Sequence, residues 1–410
     1  MLRRTALALA LSATFIAAPA TANEVLHWNR IAADAAAAAE TDPLTESRVF
    51  AIVHLAIHDA LNAIDHRYEP YRLRMSAPGA SPEAAVAAAA HATLVELLPK
   101  ARQTFDRSLA DAIGAIPDSD AKKRGLETGR RAAATLLAAR KNDGAERAIA
   151  VRAGTRPGEY RPTPPDFTPA AFGHWGNVKP FALSAAAQFR PVSPYAPTSA
   201  AARNELEQVK LIGAKNSTTR TAEQSEIARY WYENSTQGWN RVTREVASAR
   251  ALDRWENARL FALVHTAMAD GFIGGFEAKY HYNYWRPASA IRANGDAEWL
   301  SELWTPPVPD HPSTHTVLGA AAATVLARYF GTDYVAFKMT SGAPYAGITR
   351  EFWSFSQAAR ENGASRVFAG IHFPHAVETG YLQGERIGAW THQRVLKPVG
   401  PASGITALLQ

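Results

Sequence analysis

Two segments of the chain share one pattern of apolar and polar positions. Residues 48–64 (RVFAIVHLAIHDALNAI) and 259–275 (RLFALVHTAMADGFIGG) both repeat apolar side chains at the spacing of one helix face. Three polar positions coincide at an offset of 211 residues: Arg48 with Arg259, His54 with His265, and Asp59 with Asp270. The symmetry of the two histidines indicates a shared packing role rather than two binding sites.

Two further matches follow in the same order along the chain. Residues 86–98 resemble 317–329 at an offset of 231, and a glycine pattern recurs at an offset of 255. The glycine pattern pairs Gly125, Gly129 and Arg131 with Gly380, Gly384 and Arg386. The growing offset gives the second copy longer connections, where binding and catalytic groups tend to lie. We therefore look for chemistry in the second half.

The composition indicates an all-α fold. Alanine, the best helix former, clusters in runs such as 35–39 and 84–90. We predict two packed helical bundles, related by the internal duplication and forming one globular unit. The predicted divisions are an N-terminal bundle, residues 23–150; a connection rich in proline and aromatic residues, 151–220; and a C-terminal bundle, 221–410.

The N-terminus has the pattern of a secretory signal peptide, residues 1–22. Arg3 and Arg4 precede an apolar stretch, and Ala20-Thr21-Ala22 matches a cleavage site. The alternative is an uncleaved anchor. We expect a periplasmic or secreted protein without a stable membrane span, because no later apolar run is long enough.

The charge and cysteine counts narrow the chemistry. The net charge is +6, with two of the positive charges in the predicted signal. The chain has no run of basic and aromatic residues that would indicate a nucleic-acid partner. It contains no cysteine, which excludes disulfides, thiolate metal sites and a cysteine nucleophile.

Two segments carry candidate oxyanion-binding groups at a helix end and a helix start. In KYHYNYWRP, Lys279 and Arg286 are seven residues apart, so both would share a face if the helix continued to Pro287. The alternative is a solvated helix end with aromatic packing. In DHPSTHTV, Ser313 or Thr314 is either a helix N-cap or part of an anion site, with His315 in the first turn.

A third segment, SRVFAGIHFPHAVETG, supplies Arg366 and His372. A lone histidine here is more often structural, but the three segments together combine cations, a hydroxyl, helix amides and two imidazoles. This set suits a tetrahedral or trigonal-bipyramidal oxyanion, with one histidine on the central atom and the other moving protons. We expect three cations without nearby acids to require a bound anion.

These residues resemble the superfamily of vanadium haloperoxidases and type 2 phosphatidic acid phosphatases. Its pattern is K-x6-R-P, then P-S-G-H, then S-R-x3-G-x-H-x3-D. Lys279, Arg286 and Pro287 match the first part. Pro312, Ser313 and His315 match the second, and Ser365, Arg366, Gly370 and His372 match the third.

The resemblance implies a role for each matching residue. His372 would be the axial ligand of the vanadium in vanadate, or the nucleophile on phosphorus. Lys279, Arg286 and Arg366 would neutralise the equatorial oxygens. Ser313 and the Thr314 amide would donate hydrogen bonds to those oxygens, and His315 would be the general acid–base. In a haloperoxidase, Lys279 would also polarise the bound peroxide.

Two positions depart from the pattern. Thr314 replaces the usual glycine, and its side chain is expected to narrow the site. Ala376 replaces the aspartate four residues after the key histidine, which would orient His372 and raise its basicity. Loss of that aspartate should harm a phosphohistidine mechanism more than a vanadate ligand. Glu378 is a weaker substitute, because it points in a different helical direction.

The resemblance leaves three functions to weigh. The first is a vanadate-dependent haloperoxidase using hydrogen peroxide, a halide and a small organic acceptor. The second is an acid phosphatase acting on phosphomonoesters without vanadate, and the third is an oxyanion-binding protein without turnover. Chain length, the duplicated helical half and Ala376 favour the first, as does an expected aromatic wall near the site formed by Tyr280, Tyr282, Tyr284 and Trp285.

Overall fold

The computed structural model describes residues 23–400. The predicted signal segment, residues 1–22, lies outside the described residues. The helices are α1 Glu24–Ala38, α2 Pro43–Ile64, α3 Pro82–Leu97, α4 Arg102–Gly114, α5 Asp120–Arg140, α6 Ala200–Ile212, α7 Ala222–Tyr230, α8 Ser235–Ala249, α9 Arg254–Tyr282, α10 Pro287–Ala293, α11 Thr314–Phe330, α12 Phe355–Phe368 and α13 Pro374–Arg394. One short antiparallel hairpin joins β1 Phe337–Thr340 to β2 Thr349–Phe352. The all-α prediction is confirmed.

The duplication extends further than the sequence pattern shows. Helix α1 falls on α8 at the same offset of 211, and their N-caps are Asn23 and Asn234. Helices α2 and α9 begin at the equivalent caps Asp42 and Asp253. Because a cap side chain fixes where a helix starts, the two copies begin their first two helices at matching positions.

The repeated aspartates make the same contacts in both copies. Asp59 accepts three backbone amides at 2.7–2.8 Å, from Tyr71, Arg72 and Leu73. Asp270 accepts three at 2.7–2.9 Å, from Phe181, Ala182 and Leu183. Each buried carboxylate therefore fixes a connecting segment against its helix.

Paired glycines bring two helices of each copy into close contact. A Cβ atom on Gly129 of α5 would lie 2.3 Å from the Ala85 carbonyl of α3. A Cβ atom on Gly384 of α13 would lie 2.3 Å from the Val317 carbonyl of α11. Equivalent contacts therefore align α3 with α11 at an offset of 232, so the predicted offset of 231 was wrong by one residue.

The two copies meet where α2 packs against α9. The rings of His54 and His265 stack there with centroids 4.9 Å apart. Asn29 donates to His54 and to Asn240, both at 2.8 Å, and Asn240 lies 3.0 Å from His265. All four side chains are buried. The predicted packing role of the histidines is confirmed.

The segment rich in proline covers the loops that follow α9. Gly158 accepts the Trp285 amide at 2.9 Å, and Tyr160 donates its amide to Asn283 at 2.8 Å. Further along, Val192 accepts from His311 at 2.8 Å. The segment thus supports two motif-bearing loops from outside. The predicted divisions at residues 150 and 220 stay predictions. Within residues 23–400, none of the helices combines the length and the hydrophobicity of a membrane span.

Candidate active site

Lys279 and Arg286 meet because the chain turns, not because a helix continues between them. Helix α9 ends at Tyr282, and Asn283 adopts a left-handed conformation with φ 48°. Arg286 is then the N-cap of α10, ahead of Pro287. The helix does not continue to Pro287, so the condition for one shared helix face is not met, yet both side chains are buried and donate to the same loop, residues 308–310.

Backbone carbonyls of the loop before α11 hold these two cations. Lys279 Nζ donates to Pro309 at 2.7 Å and to Asp310 at 3.1 Å. Arg286 Nε donates to Val308 at 2.8 Å. Carbonyl oxygens fix the positions of the two charges without neutralising them, so the cations stay available to an anion.

The start of α11 brings Ser313 and His315 to the same place. Ser313 is the N-cap, but among the described residues its hydroxyl caps no backbone amide. Instead it accepts from the Thr316 hydroxyl at 2.9 Å. The first-turn amides of α11 therefore lack a side-chain acceptor, which is the arrangement of an anion site. The alternative of an ordinary side-chain cap by Ser313 does not hold.

Both ring nitrogens of His315 have partners. Nε2 lies 2.7 Å from the Trp231 carbonyl, and Nδ1 lies 2.6 Å from the Ser235 hydroxyl. A carbonyl only accepts, so Nε2 carries the proton and Nδ1 accepts from Ser235. Burial and the nearby Arg366 lower the pKa of His315 well below its ordinary value. The ring of His315 is thus neutral, and its partners Trp231 and Ser235 were missed by the sequence motifs.

Arg366 and His372 come from the end of α12 and the turn that follows it. Arg366 Nη2 donates to the same Trp231 carbonyl at 2.9 Å. The turn requires Gly370, which has φ 75° and lies against the backbone of Gly213. His372 Nε2 then lies 2.9 Å from Arg286 Nη1.

The ionisable neighbours of His372 include residues from all three sequence motifs. Burial lowers its pKa well below the ordinary value, and four nearby groups lower it further: Arg286, Lys279, Arg366 and His315. Burial and Arg286 likewise lower the pKa of Lys279 well below its ordinary value. Burial lowers the pKa of Arg366 to about 10. Removing each cation from water costs free energy, and a bound anion would offset that cost.

The expectation that no acid lies near the cations was wrong. Asp310 Oδ1 lies 3.9 Å from Arg286 Nη1 and 2.9 Å from His372 Nδ1. Burial raises the pKa of Asp310 to about 7. The sequence signal was an acid two residues before Pro312, which the motif pattern does not include. One carboxylate against three cations still leaves an excess of positive charge.

A cavity of about 750 Å³ reaches the site from one side. Its lining includes Tyr232, Glu233, Asn234, Trp304, His315 and Arg366, together with residues 40–43 of the first copy. The residues of the expected aromatic wall do not line this cavity, and the Tyr280, Tyr282 and Tyr284 hydroxyls donate to carbonyls of the proline-rich segment. The cavity's aromatic side chains, Tyr232 and Trp304, were not predicted.

Thr314 directs its side chain at α9. Its Cγ2 atom lies 2.6 Å from the point where a Cβ atom on Gly275 would stand. Gly275 therefore provides the room that the threonine needs. Thr314 is partly exposed, and the expected narrowing of the site stays a prediction.

The donors present fit a tetrahedral oxyanion such as vanadate or phosphate. Lys279, Arg286 and Arg366 are buried, and Arg366 has no carboxylate within ion-pair distance in the part of the chain described here. The Ser313 hydroxyl keeps its own proton free to donate while it accepts from Thr316. His372 Nε2 lies 2.9 Å from one of these donors, Arg286 Nη1.

Comparison with known proteins gives a consistent result. The VCPO second helical-bundle domain family matches residues 259–401. Vanadium chloroperoxidase of Curvularia inaequalis is 25% identical over 226 residues, which cover 39% of this chain and 37% of that protein.

Solved structures extend the similarity to both halves. The structure described as the first bacterial vanadium-dependent iodoperoxidase has a TM-score of 0.84 and 26% identity, and the match covers 93% of this chain and 98% of that one. A holo-type bacterial vanadium-dependent chloroperoxidase has a TM-score of 0.70 at 19% identity, over 86% and 92% of the two chains, which shows a shared fold. The chain belongs to the superfamily of vanadium haloperoxidases and type 2 phosphatidic acid phosphatases.

Proposed function

We propose that the protein is a vanadium-dependent haloperoxidase with vanadate held by His372. The observation that carries this proposal is the position of His372, whose Nε2 faces a buried site with three cations and one acid. The similarity to vanadium haloperoxidases supports it. The reaction balances as halide, hydrogen peroxide and one proton giving hypohalous acid and water.

The residues of the site have two roles, neutralisation of the anion and proton transfer. When bound, vanadate supplies a Lewis-acidic centre that activates hydrogen peroxide for two-electron oxidation of the halide. Lys279, Arg286 and Arg366 neutralise oxygens of the anion, and the α11 amides donate to it. His315, neutral and at the cavity, takes up and returns protons. Halide and organic acceptor enter through the cavity.

A phosphatase is the second candidate, and Asp310 favours it. Ala376 lacks the carboxylate that a phosphohistidine mechanism needs, but Asp310 places one 2.9 Å from His372. In that reaction His372 would attack phosphorus and His315 would protonate the leaving alcohol. Water would then release phosphate from His372.

One pair of assays separates these functions. Apo-protein is given orthovanadate, hydrogen peroxide, bromide and phenol red, and separately a phosphomonoester. The proposal expects vanadate-dependent bromination that phosphate inhibits. Phosphate release that vanadate inhibits would establish the phosphatase instead, and oxyanion binding with neither activity would leave a binding protein.

Two histidine variants assign the chemistry within either outcome. His372→Ala should reduce turnover at least about 100-fold, because it removes the group on the central atom. His315→Ala should reduce turnover while oxyanion binding persists. His375→Ala is the matched control, because its ring stacks on Tyr195 and its Nε2 lies 3.1 Å from the Ser193 carbonyl of the proline-rich segment. Full activity in His372→Ala would contradict the proposal.

We also propose export to the periplasm or the medium. The support is the signal pattern of residues 1–22, which ends at Ala22. Expression of the full chain in a bacterial host, with N-terminal sequencing of the exported fraction, should give a mature chain that starts at Asn23. Retention of residues 1–22 in a membrane fraction would indicate the anchor instead.

A further inference from the structure

Asp310 is a buried acid in contact with the key histidine. Its side chain is about 1% exposed, and Oδ1 lies 2.9 Å from His372 Nδ1. Its backbone is fixed on both sides. The Asp310 amide donates to Tyr284 at 2.9 Å, and the Asp310 carbonyl accepts from Lys279 at 3.1 Å. The loop therefore holds the carboxylate against one edge of the imidazole.

The contacts of Arg286 with the ring indicate where the His372 proton lies. Arg286 Nη1 is 2.9 Å from Nε2 and 3.3 Å from Nδ1, and a guanidinium can only donate, so its shorter contact is with an accepting Nε2. Nε2 therefore carries the lone pair, and the proton of the neutral ring is on Nδ1. Asp310 Oδ1 lies 2.9 Å from Nδ1, and neither Asp310 carboxylate oxygen has a hydrogen-bond partner within residues 23–400, so Oδ1 is the acceptor available to that proton.

The side chain at position 376 cannot accept a hydrogen bond from His372 Nδ1–H, so another residue must do so. Ala376 is buried at the start of α13 and contributes only its carbonyl, which accepts the Ser313 amide at 2.8 Å. The methyl side chain of Ala376 cannot accept a hydrogen bond from an imidazole N–H.

We propose that Asp310 is the positioning residue for His372. It fixes the Nδ1–H tautomer, so that the Nε2 lone pair points at the central atom of the oxyanion. It thereby replaces, from the loop before α11, the carboxylate that the superfamily pattern places four residues after the histidine. The inference rests on the proposed function only in taking His372 as the ligand or nucleophile.

A purely electrostatic role for Asp310 makes the opposite prediction. If Asp310 were only a counter-ion of Arg286 and Lys279, its removal would leave the site more positive. Both vanadate and phosphate would then bind more tightly. If Asp310 positions His372, vanadate loses its bond to nitrogen, whereas phosphate held by charge alone does not weaken.

The test measures both dissociation constants by calorimetry in the absence of peroxide. Asp310→Asn keeps the side-chain shape, but the amide can turn its N–H group to the ring and release the tautomer. We expect vanadate affinity to fall about 10- to 100-fold, the usual effect of losing a partner of a ligating histidine. Phosphate affinity should stay equal or rise. Vanadate affinity within twofold of wild type, or tighter, would overturn the inference.

Two further variants make the failures distinguishable. Glu205→Gln is the matched control, since this partly buried carboxylate accepts the His375 amide at 2.5 Å and acts on Asp310 through its charge, but makes no hydrogen bond or ion pair with His372. It removes a nearby negative charge without freeing the ring, so vanadate affinity should not fall. His372→Ala tests the proposed function itself. Unchanged vanadate affinity in His372→Ala would refute the ligand assignment, while a loss there without one in Asp310→Asn would refute the positioning role alone.

A measurement on the unaltered protein does not depend on how the variant folds. Nitrogen NMR of apo-protein labelled at histidine distinguishes a protonated from an unprotonated ring nitrogen. The His372 signals are assigned by their loss in His372→Gln. We expect a proton on Nδ1 and none on Nε2, and the reverse pattern would overturn the inference.

Discussion

The two copies start their third long helix in different ways. In the first copy, Ser81 precedes α3 and its hydroxyl accepts the Ala84 amide at 3.2 Å. In the second copy, the equivalent Ser313 precedes α11, and within residues 23–400 its hydroxyl caps no amide. Glu83 occupies the first turn in one copy, and His315 occupies it in the other.

This difference shows how a packing scaffold gains a binding site. In the first copy, Ser81 and Glu83 satisfy the helix N-terminus, which contributes to stability. In the second copy, the same N-terminus keeps donors free and is surrounded by buried cations. The helices and glycine contacts are shared, so the site depends on the residues of the longer connections rather than on the fold.

The largest expected effect concerns Glu46, whose equivalent in the second copy is the neutral Asn257. Burial raises the pKa of Glu46 to about 8. A raised pKa stabilises the fold fully below the unfolded value of 4.5, and that contribution is lost as the pH rises through about 8. The lost contribution is on the order of 4 kcal/mol between pH 5 and 8.

Glu46→Gln should remove this pH dependence. Urea denaturation of wild type and variant at several pH values gives the difference in unfolding free energy. We expect the difference to move in favour of the variant as the pH rises from 5 to 8. A constant difference over that range would show that Glu46 is not perturbed.

The glycine contacts give the next effect. Gly384→Val and Gly129→Val each force a side chain against a carbonyl of the partner helix, so each should cost about 3 kcal/mol of unfolding free energy. Only Gly384→Val should also weaken vanadate binding, because α11 carries Ser313 and His315. Denaturation and vanadate titration measure the two effects. Equal loss of binding in Gly129→Val would remove the functional distinction between the copies.

The buried asparagines that join the copies should contribute about 2 kcal/mol. Asn240→Ala removes the partner of His265 and of Asn29, which leaves buried polar atoms unsatisfied. Asn29→Ala should cost about the same, since it leaves His54 Nε2 without a partner and removes one of the two hydrogen bonds of Asn240 Oδ1. In a double-mutant cycle the combined loss should be smaller than the sum, because the two share a hydrogen bond. If the two losses of unfolding free energy simply added, Asn29 and Asn240 would not act as one hydrogen-bonded unit between the copies.

The smallest expected effect distinguishes the serine before α3 from the serine before α11. Ser81→Ala should reduce the unfolding free energy by about 1 kcal/mol, because it removes a cap. Ser313→Ala should cost less stability but should weaken oxyanion binding. Thermal denaturation and phosphate titration of both variants check this. Comparable stability losses with no change in binding would mean that the two serines have one role.

Much of the fold was predictable from the sequence, because the repeat preserves caps, buried polar pairs and glycine contacts. His54 with His265 and the glycine pairs carry the signal directly. The one-residue error in aligning α3 with α11 arose because alanine-rich helices look alike at neighbouring registers. Side-chain contacts such as Ser81 with α3 were needed to correct it.

The site was predictable in its members and less so in its geometry. Lys279, Arg286, Arg366 and His372 fall in motifs, and the structure buries all four, with the three cations acting on His372 through their charge. Asp310, Ser235 and the Trp231 carbonyl were not found, because their contacts depend on loops that close over long sequence separations. Asn283 illustrates the difficulty, since one left-handed residue ends α9 and changes how two cations meet.

The Trp231 carbonyl receives hydrogen bonds from both His315 and Arg366. The proposed proton-transfer group and one proposed anion-binding group are thus anchored to a single oxygen between α7 and α8. Any shift of that turn moves both side chains together, so the proposed mechanism couples acid–base geometry to the strength of anion binding.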